Sequence, residues 1–488
     1  MRIVFATAEV SPIAKTGGLG DVCGSLPKAL AALGHEVIVF MPLYKQAREW
    51  LERNGQPLDL AAPATPITWG GWSADATYFR TTLPGTNIPL YLIANGYFFE
   101  RDGIYSFRAD GFDDGPERFT FFCRALIRGC ELLDIAPDIL HAHDWHTALL
   151  PVYLDSGLRA SGTFRSTRSV YTIHNLNYQG IVPRDRFGIL GLHPRYWSAA
   201  GLEHFGDANL MKGGIIFADQ VTTVSPNYAR EIQTRAIGAG LDGVLRSLSF
   251  KLSGIVNGID VDEWDPAKDE YLDANFDREK MHGKTIAKRM LAREAGLNYK
   301  VKTPIFSVVS RFVDQKGLQL LAPVLSHLLD AGAQAVILGS GEPELEYAFA
   351  SIAEKEKGRC SVTIGFDNAY AHRIYAGSDI LLMPSIYEPC GLNQMYALRY
   401  GTIPVVRLTG GLVDTVIPFD GTNRTVANGF GFVSPTPADL YAATWISVLN
   451  YRDTRAWKAL QTNGMAVDFS WDRSAREYEA VYRRAASM

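Results

Sequence analysis

Asp379-Ile-Leu-Leu-Met-Pro-Ser-Ile-Tyr-Glu-Pro-Cys-Gly-Leu-Asn-Gln-Met-Tyr-Ala-Leu-Arg-Tyr-Gly401 carries a short unbroken apolar run, a loop with one carboxylate, and then a helical pattern. A continuous run of this length fits a strand covered on both faces, as in a parallel sheet between helices. Glu388 then falls in the loop beyond the strand's carboxyl end, where open α/β sheets take their ligands. Gly391 and Leu392 open the following helix, whose free N–H groups and positive dipole end can face an anion. A plain capping role for Glu388 accounts for the same residues, so the stretch marks a candidate site and leaves its task open.

The same unit recurs on both sides. Strand-like runs at residues 305–310, 335–338, 361–364 and 403–406 alternate with helical patterns starting near Gly317, near Glu344, around His372 and after Cys390. Towards the N-terminus, residues 3–8 form a strand, followed by a glycine loop, a helix to about Leu33 and a strand at 37–40. The hundred residues after that are less regular, but strands at 90–94, 138–143, 169–174 and 221–224 and a helix at 117–133 continue the alternation. Such alternation predicts an α/β protein with two Rossmann-like, doubly wound parallel sheets and a cleft between the halves. Residues 262–303 turn polar and charged and read as a connector plus a solvated helix. The expected domains are therefore 1–265 and 266–470, with three late helical patterns, the last of them at 471–488.

Bulk properties narrow the function classes. A chain of 488 residues exceeds one ordinary core, and 47% hydrophobic with 20% charged residues is globular composition. Lys and Arg number 48 against 52 for Asp and Glu, so there is no electrostatic footprint for nucleic acid. The five cysteines are scattered and lack a C-x-x-C pair, which argues against a disulfide framework or a zinc site and fits a reducing cytoplasm. No run approaches the roughly 18 apolar residues of a membrane helix, and the apolar start is too short for a signal segment.

Several loops carry candidate chemistry. The Lys15-Thr-Gly-Gly-Leu-Gly-Asp21 run does not fit G-x-G-x-x-G, and the second strand ends without a ribose-binding acid. Nor does it have P-loop order, because Lys15 precedes the glycines. What remains is a lysine beside bare backbone at a helix start, suited to a diphosphate or a charged sugar. His141-Ala-His-Asp-Trp-His146 has metal-ligand residue types, yet strand alternation sends His141 and His143 to one face and Asp144 to the other. A polar cleft wall with Trp145 as a stacking surface is the better reading. Tyr171-Thr-Ile-His-Asn175 delivers another imidazole to the same sheet edge. Arg311 and Lys316, between a strand and a helix, form a phosphate-binding pair, and Gly365-Phe366 would let a flat base approach the backbone. Thr409-Gly-Gly411 adds one more glycine-led helix start, so the second half suits a nucleoside diphosphate.

These motifs, with Ile255-Val-Asn-Gly-Ile-Asp260 and Tyr387-Glu-Pro-Cys-Gly-Leu-Asn-Gln394, run in one order across nearly the whole chain and resemble bacterial glycogen synthases and plant soluble starch synthases. The resemblance implies two Rossmann-like domains of the GT-B type facing across a cleft, with the last helix crossing back to the first domain. It implies transfer of glucose from ADP-glucose to the non-reducing 4-OH end of an α-1,4-glucan, glycogen or starch, with retention of configuration. It further implies no cofactor, no metal, no nucleic acid and no membrane partner, and a cytoplasmic or plastid-stromal location; the oligomeric state stays open. On this likeness Lys15, Arg311 and Lys316 meet the diphosphate, Asp144 lies near the reacting carbon, His174 contacts the glucose and Glu388 binds its hydroxyls. Gly17, Gly18, Asn257, Gly365, Phe366, Cys390, Gly391 and Leu392 would complete the ADP-glucose site, while Asp21, Tyr97, Trp145 and Tyr178 would face the glucan. One departure stands out: many related transferases carry a second Glu where this chain has Tyr396. A two-carboxylate glycosidase scheme is therefore unsupported, and a same-face reaction in which the departing phosphate takes the acceptor's proton is the consistent one. A sucrose- or trehalose-type synthase and a glucan-binding protein without transfer activity are the competing readings. A phosphorylase would need a pyridoxal-binding lysine that no local sequence identifies.

Overall fold

The computed structural model describes residues 1–105 and 114–488. The chain divides into two compact units, residues 1–258 with 471–488, and residues 259–470.

The first unit contains, in chain order, β1 (Arg2–Ala6), β2 (Glu36–Pro42), β3 (Asp59–Trp69), β4 (Trp72–Thr82), β5 (Pro89–Ala94), β6 (Ile139–His143), β7 (Arg168–Ile173), β8 (Ile181–Val182), β9 (Glu203–His204), β10 (Asp207–Asn209), β11 (Gln220–Thr223) and β12 (Leu252–Gly254). Nine of these form one sheet in the order β12-β11-β7-β6-β1-β2-β5-β4-β3. From β12 to β5 the pairing is parallel, and the runs that form β1 and β6 are buried almost throughout, as the unbroken apolar pattern requires. The irregular stretch after residue 40 resolves into a long hairpin, β3–β4, which extends the sheet antiparallel through the two-residue Gly70-Gly71 turn. Its strands are rich in Ala, Thr and Pro, so their β character comes from pairing and not from local pattern.

Helix Trp471–Ala486 belongs to this unit and packs on helix Gly18–Ala32. Trp471, Ala475, Tyr478, Tyr482 and Ala485 lie buried along it at helical spacing. Ser474 Oγ donates to Val256 O at 2.6 Å, fastening the helix start.

The second unit has a wholly parallel sheet of β13 (Ile305–Val309), β14 (Gln334–Gly339), β15 (Cys360–Ile364), β16 (Ile380–Met383), β17 (Ile403–Arg407) and β18 (Phe430–Phe432). Its order is β15-β14-β13-β16-β17-β18. The polar segment read as a connector with a solvated helix is instead part of this unit's core. Helix His282–Glu294 packs on helix Asn368–Gly377, and its Lys284 Nζ is buried where it donates to Ala376 O at 3.0 Å, Tyr400 O at 2.7 Å and Thr402 Oγ1 at 2.8 Å. Burial pulls this ammonium's pKa down to about 7. Lys288 pairs with Asp379 at 2.7 Å. The lysines are drawn inside because helix-end carbonyls and a buried carboxylate await them there. Among the described residues no helix is long and apolar enough to cross a membrane.

Candidate active site

Each large sheet has one point where its strand order reverses. In the second unit the chain runs outward from β13 to β14 and β15, then returns to β16 on the other side of β13. The loops after β13 and β16 therefore meet at a topological switch point, the usual ligand crevice of an open α/β sheet. There Lys316 Nζ contacts both carboxylate oxygens of Glu388, at 2.9 and 2.7 Å, and Ser385 Oγ donates to Oε2 at 2.9 Å. Glu388 is 4% exposed. Its loop is pinned from three sides: Ile386 N donates to Gln315 O at 2.8 Å, Arg407 Nε to Ser385 O at 2.7 Å, and Gly411 N to Glu388 O at 3.1 Å. Arg311 is exposed in the loop just after β13.

The sequence reading starts the next helix at Gly391, whereas the regular helix is Asn393–Arg399 with Leu392 as its cap. Gly391 stands just before it in a left-handed conformation (φ +73°), and Gln394 Nε2 holds the Gly391 carbonyl inward at 2.9 Å. Gly365 and Phe366 lie past the end of β15, the edge strand two places from β13, and Phe366 is 83% exposed. Among the described residues no hydrogen bond or ion pair links them to Lys316 or Glu388. Tyr396 stacks on Trp264 at 3.9 Å and is buried, so this position carries a core ring.

In the first unit the reversal falls between β1 and β6. Asp144, directly after β6, has φ 55° and ψ −176°, a region glycine alone occupies easily. Its Oδ1 accepts from His174 N at 2.7 Å and Asn175 N at 3.3 Å, tying the end of β6 to the loop after β7. His174 Nε2 lies 3.0 Å from His143 Nδ1; burial lowers the pKa of His174 to about 3, so its ring is neutral at physiological pH. Burial pushes the Asp144 carboxyl up to about 7, against the pull of the two amides, with Glu9 adding to the rise.

His141 and His143 do share a face, with ring centroids 4.0 Å apart. They do not line a cleft wall, as expected from sequence, but sit fully buried. His141 bonds to Tyr482 OH at 2.9 Å and Thr172 Oγ1 at 2.6 Å. Trp145 is wedged edge-on against Phe119 at 5.1 Å, with the Gly180 backbone against its ring. Lys15 pairs with Asp21 at 2.5 Å, next to the open backbone of Gly17 and Gly18. Tyr97 and Tyr178 are 55% and 56% exposed, and the side-chain oxygen of buried Asn257 finds no hydrogen-bond partner among the described residues. Glu9 escaped the sequence reading, because a lone acid after a strand carries no pattern of its own.

The family model described as "Starch synthase catalytic domain" matches residues 2–247, and that described as "Glycosyl transferases group 1" matches residues 293–457. Curated glycogen synthases align end to end. That of Anaeromyxobacter sp. is 44% identical over 490 residues, covering 100% of both chains, and that of Geotalea uraniireducens is 42% identical over 485, covering 99% of each. The chain belongs to the glycogen and starch synthase family of glycosyltransferases. Among solved structures, the catalytic domain of starch synthase IV from Arabidopsis thaliana, bound to ADP and acarbose, is 35% identical with a TM-score of 0.91, covering 100% of this chain and 99% of its own. A sucrose-phosphate synthase from Thermosynechococcus elongatus, at 17% identity and TM-score 0.62, shares the fold. The two Rossmann-like units expected from the sequence are thus those of the GT-B glycosyltransferases.

The elevated Asp144 carboxyl gives this family member a testable pH signature. Its folded-state pKa of about 7 lies above the ordinary 3.8, so the folded state favours the protonated acid. The stabilising contribution is present below pH about 4 and is lost as pH rises to about 7. Asp144→Asn keeps an oxygen for the two amides without the charge. Denaturant titrations should show the variant gaining on the wild type between pH 4 and 8, by up to about 4 kcal/mol. A stability gap that does not change with pH would contradict burial as the cause.

Proposed function

We propose that the chain transfers glucose from ADP-glucose to the non-reducing 4-OH end of an α-1,4-glucan with retention of configuration. The observation that carries this is the buried Glu388, held by Lys316 and Ser385 at the switch point of the second sheet, with Arg311 open at the same edge. The family supports it, and so does the similar starch synthase IV solved with ADP and acarbose.

In this reading Arg311 and Lys316 take the diphosphate, the amides around Gly391 and Leu392 add donors, and Gly365 with Phe366 receives the base. Glu388 and the neutral His174 hydrogen-bond glucose hydroxyls, Asp144 lies near the reacting carbon, and Lys15 with Gly17 and Gly18 meets phosphate oxygens. Tyr97 and Tyr178 offer exposed faces to glucan rings. The bond from C1 to the phosphate oxygen breaks and its electron pair leaves with ADP. The acceptor oxygen bonds C1 on the same face, and its proton passes to the departing phosphate. Cations positioned on that phosphate stabilise the charge as it develops.

Labelled ADP-glucose or UDP-glucose, offered with glycogen or with small sugars, tests the proposal. Incorporation into glucan from ADP-glucose, through α-1,4 links seen by NMR, is expected. Label passing only to small sugars, or to nothing, would sink it.

A further inference from the structure

Among the described residues Glu9 accepts four hydrogen bonds close to the first switch point, and no role in the proposed reaction uses it. It lies three residues past β1 and is 3% exposed. Oε2 accepts from Thr16 N at 2.7 Å and Gly17 N at 3.2 Å, while Oε1 accepts from Thr16 Oγ1 at 2.8 Å and Tyr105 OH at 2.6 Å. Every one of these partners is a neutral donor. The nearby cation, Lys15, is held by Asp21 instead. Among the described residues no cation touches this carboxylate; a buried carboxylate persists when fixed dipoles replace its water, and here two of the four described donors are backbone amides of the glycine loop itself.

We infer that Glu9 is a positioning residue for the transfer reaction: its buried carboxylate clamps the backbone of residues 15–18, so that Lys15 and the bare backbone of Gly17 and Gly18 are presented in one fixed geometry. The inference rests on the function proposed above. The loop is gripped from two sides, Glu9 holding its amides and Asp21 its ammonium group. Gly20 completes the fit, since a Cβ there would lie 3.0 Å from Lys15 Cγ and 3.3 Å from Glu9 Oε2. Ser11 N also donates to Gly20 O at 3.0 Å, tying the Glu9 segment to the first turn of the helix that follows the loop.

The chemistry of the four donors orders the variants. A glutamine can offer its oxygen to the two amides and its NH2 to the two hydroxyls, which are able to accept. Alanine offers nothing. Glu9→Gln should therefore retain most of the clamp and Glu9→Ala should lose it.

Amide hydrogen exchange at Thr16 and Gly17, read beside donor kinetics and thermal stability, tests this. Glu9→Ala is expected to speed exchange at these two amides at least about tenfold, the loss of one or two charge-assisted bonds. It should lower kcat about thirtyfold with little change in the donor KM, because a misplaced Lys15 costs transition-state contact more than ground-state binding. Glu9→Gln should fall between Glu9→Ala and the wild type in both. Unchanged exchange at Thr16 and Gly17 in Glu9→Ala, or kcat within threefold of wild type, would overturn the inference. So would a rate loss in Glu9→Gln as deep as in Glu9→Ala with an equal drop in Tm, which marks a purely structural role. If Glu9→Ala does not fold, Glu9→Gln alone decides, by faster exchange at the two amides and a lowered kcat. Absence of transfer by the wild-type protein would refute the proposed reaction, and the exchange measurement would still decide whether Glu9 holds the loop.

Discussion

Glu388→Ala should lower glucosyl transfer to glucan about a thousandfold, the upper range for removing one preorganised polar group from a catalytic site. Three physical losses combine. The carboxylate that would hold glucose hydroxyls is gone, Lys316 loses both contacts to it, and Ser385 loses its acceptor. Lys316 keeps about one fifth of its side-chain surface in solvent, so its ammonium can turn to water and the stability cost stays below that of breaking a fully buried pair. Glu388→Gln preserves shape and an acceptor but not charge, and should lose less, on the order of a hundredfold. Initial rates of label incorporation and melting curves separate the two effects. Transfer by Glu388→Ala within threefold of wild type would remove this residue from the site.

The second large effect is expected from Gly410→Ala. Gly410 has φ +48°, and a Cβ built there would fall 1.8 Å from Glu388 O and 3.3 Å from Pro389 O. With ψ −136° this is a sparsely populated region that costs an L-residue about 1–3 kcal/mol on its own, and the clash forces the loop bearing Glu388 to move. Displacing a catalytic group by about an ångström can cost a hundredfold in rate. Gly421→Ala is the control: its φ is +95° yet nothing lies within 4 Å of the added carbon. That variant should lose only the strain and keep its transfer rate. Equal rates for the two alanine variants would show that the loop tolerates displacement.

The candidate site was legible to different depths. Glu388, Arg311 and Lys316 stood out because glycine loops at strand ends are local patterns. That Lys316 grips both oxygens of Glu388 was not visible, since 72 residues separate them and nothing in either motif names its partner. His141, His143 and Asp144 were legible as a group, but their division between core and loop depends on what covers the sheet, here Tyr482 from the last helix. Glu9 was passed over because a lone acid after a strand has no pattern; its four donors come from residues 16, 17 and 105.

By itself the sequence determined the α/β class, the run of short apolar strands that became β1, β6, β13, β14, β16 and β17, and the loops able to carry chemistry. Apolar periodicity and glycine-led turns act within a few residues, so they can be read in order along the chain. Only the tertiary structure decided the strand order, the β3–β4 hairpin and the burial of Lys284 and Lys288. These depend on hydrogen-bond partners that folding brings in from far along the chain: Lys284 meets carbonyls 92 and 116 residues away. A buried charge or an unpaired strand takes its place from whatever completes it, and that completion is a property of the fold.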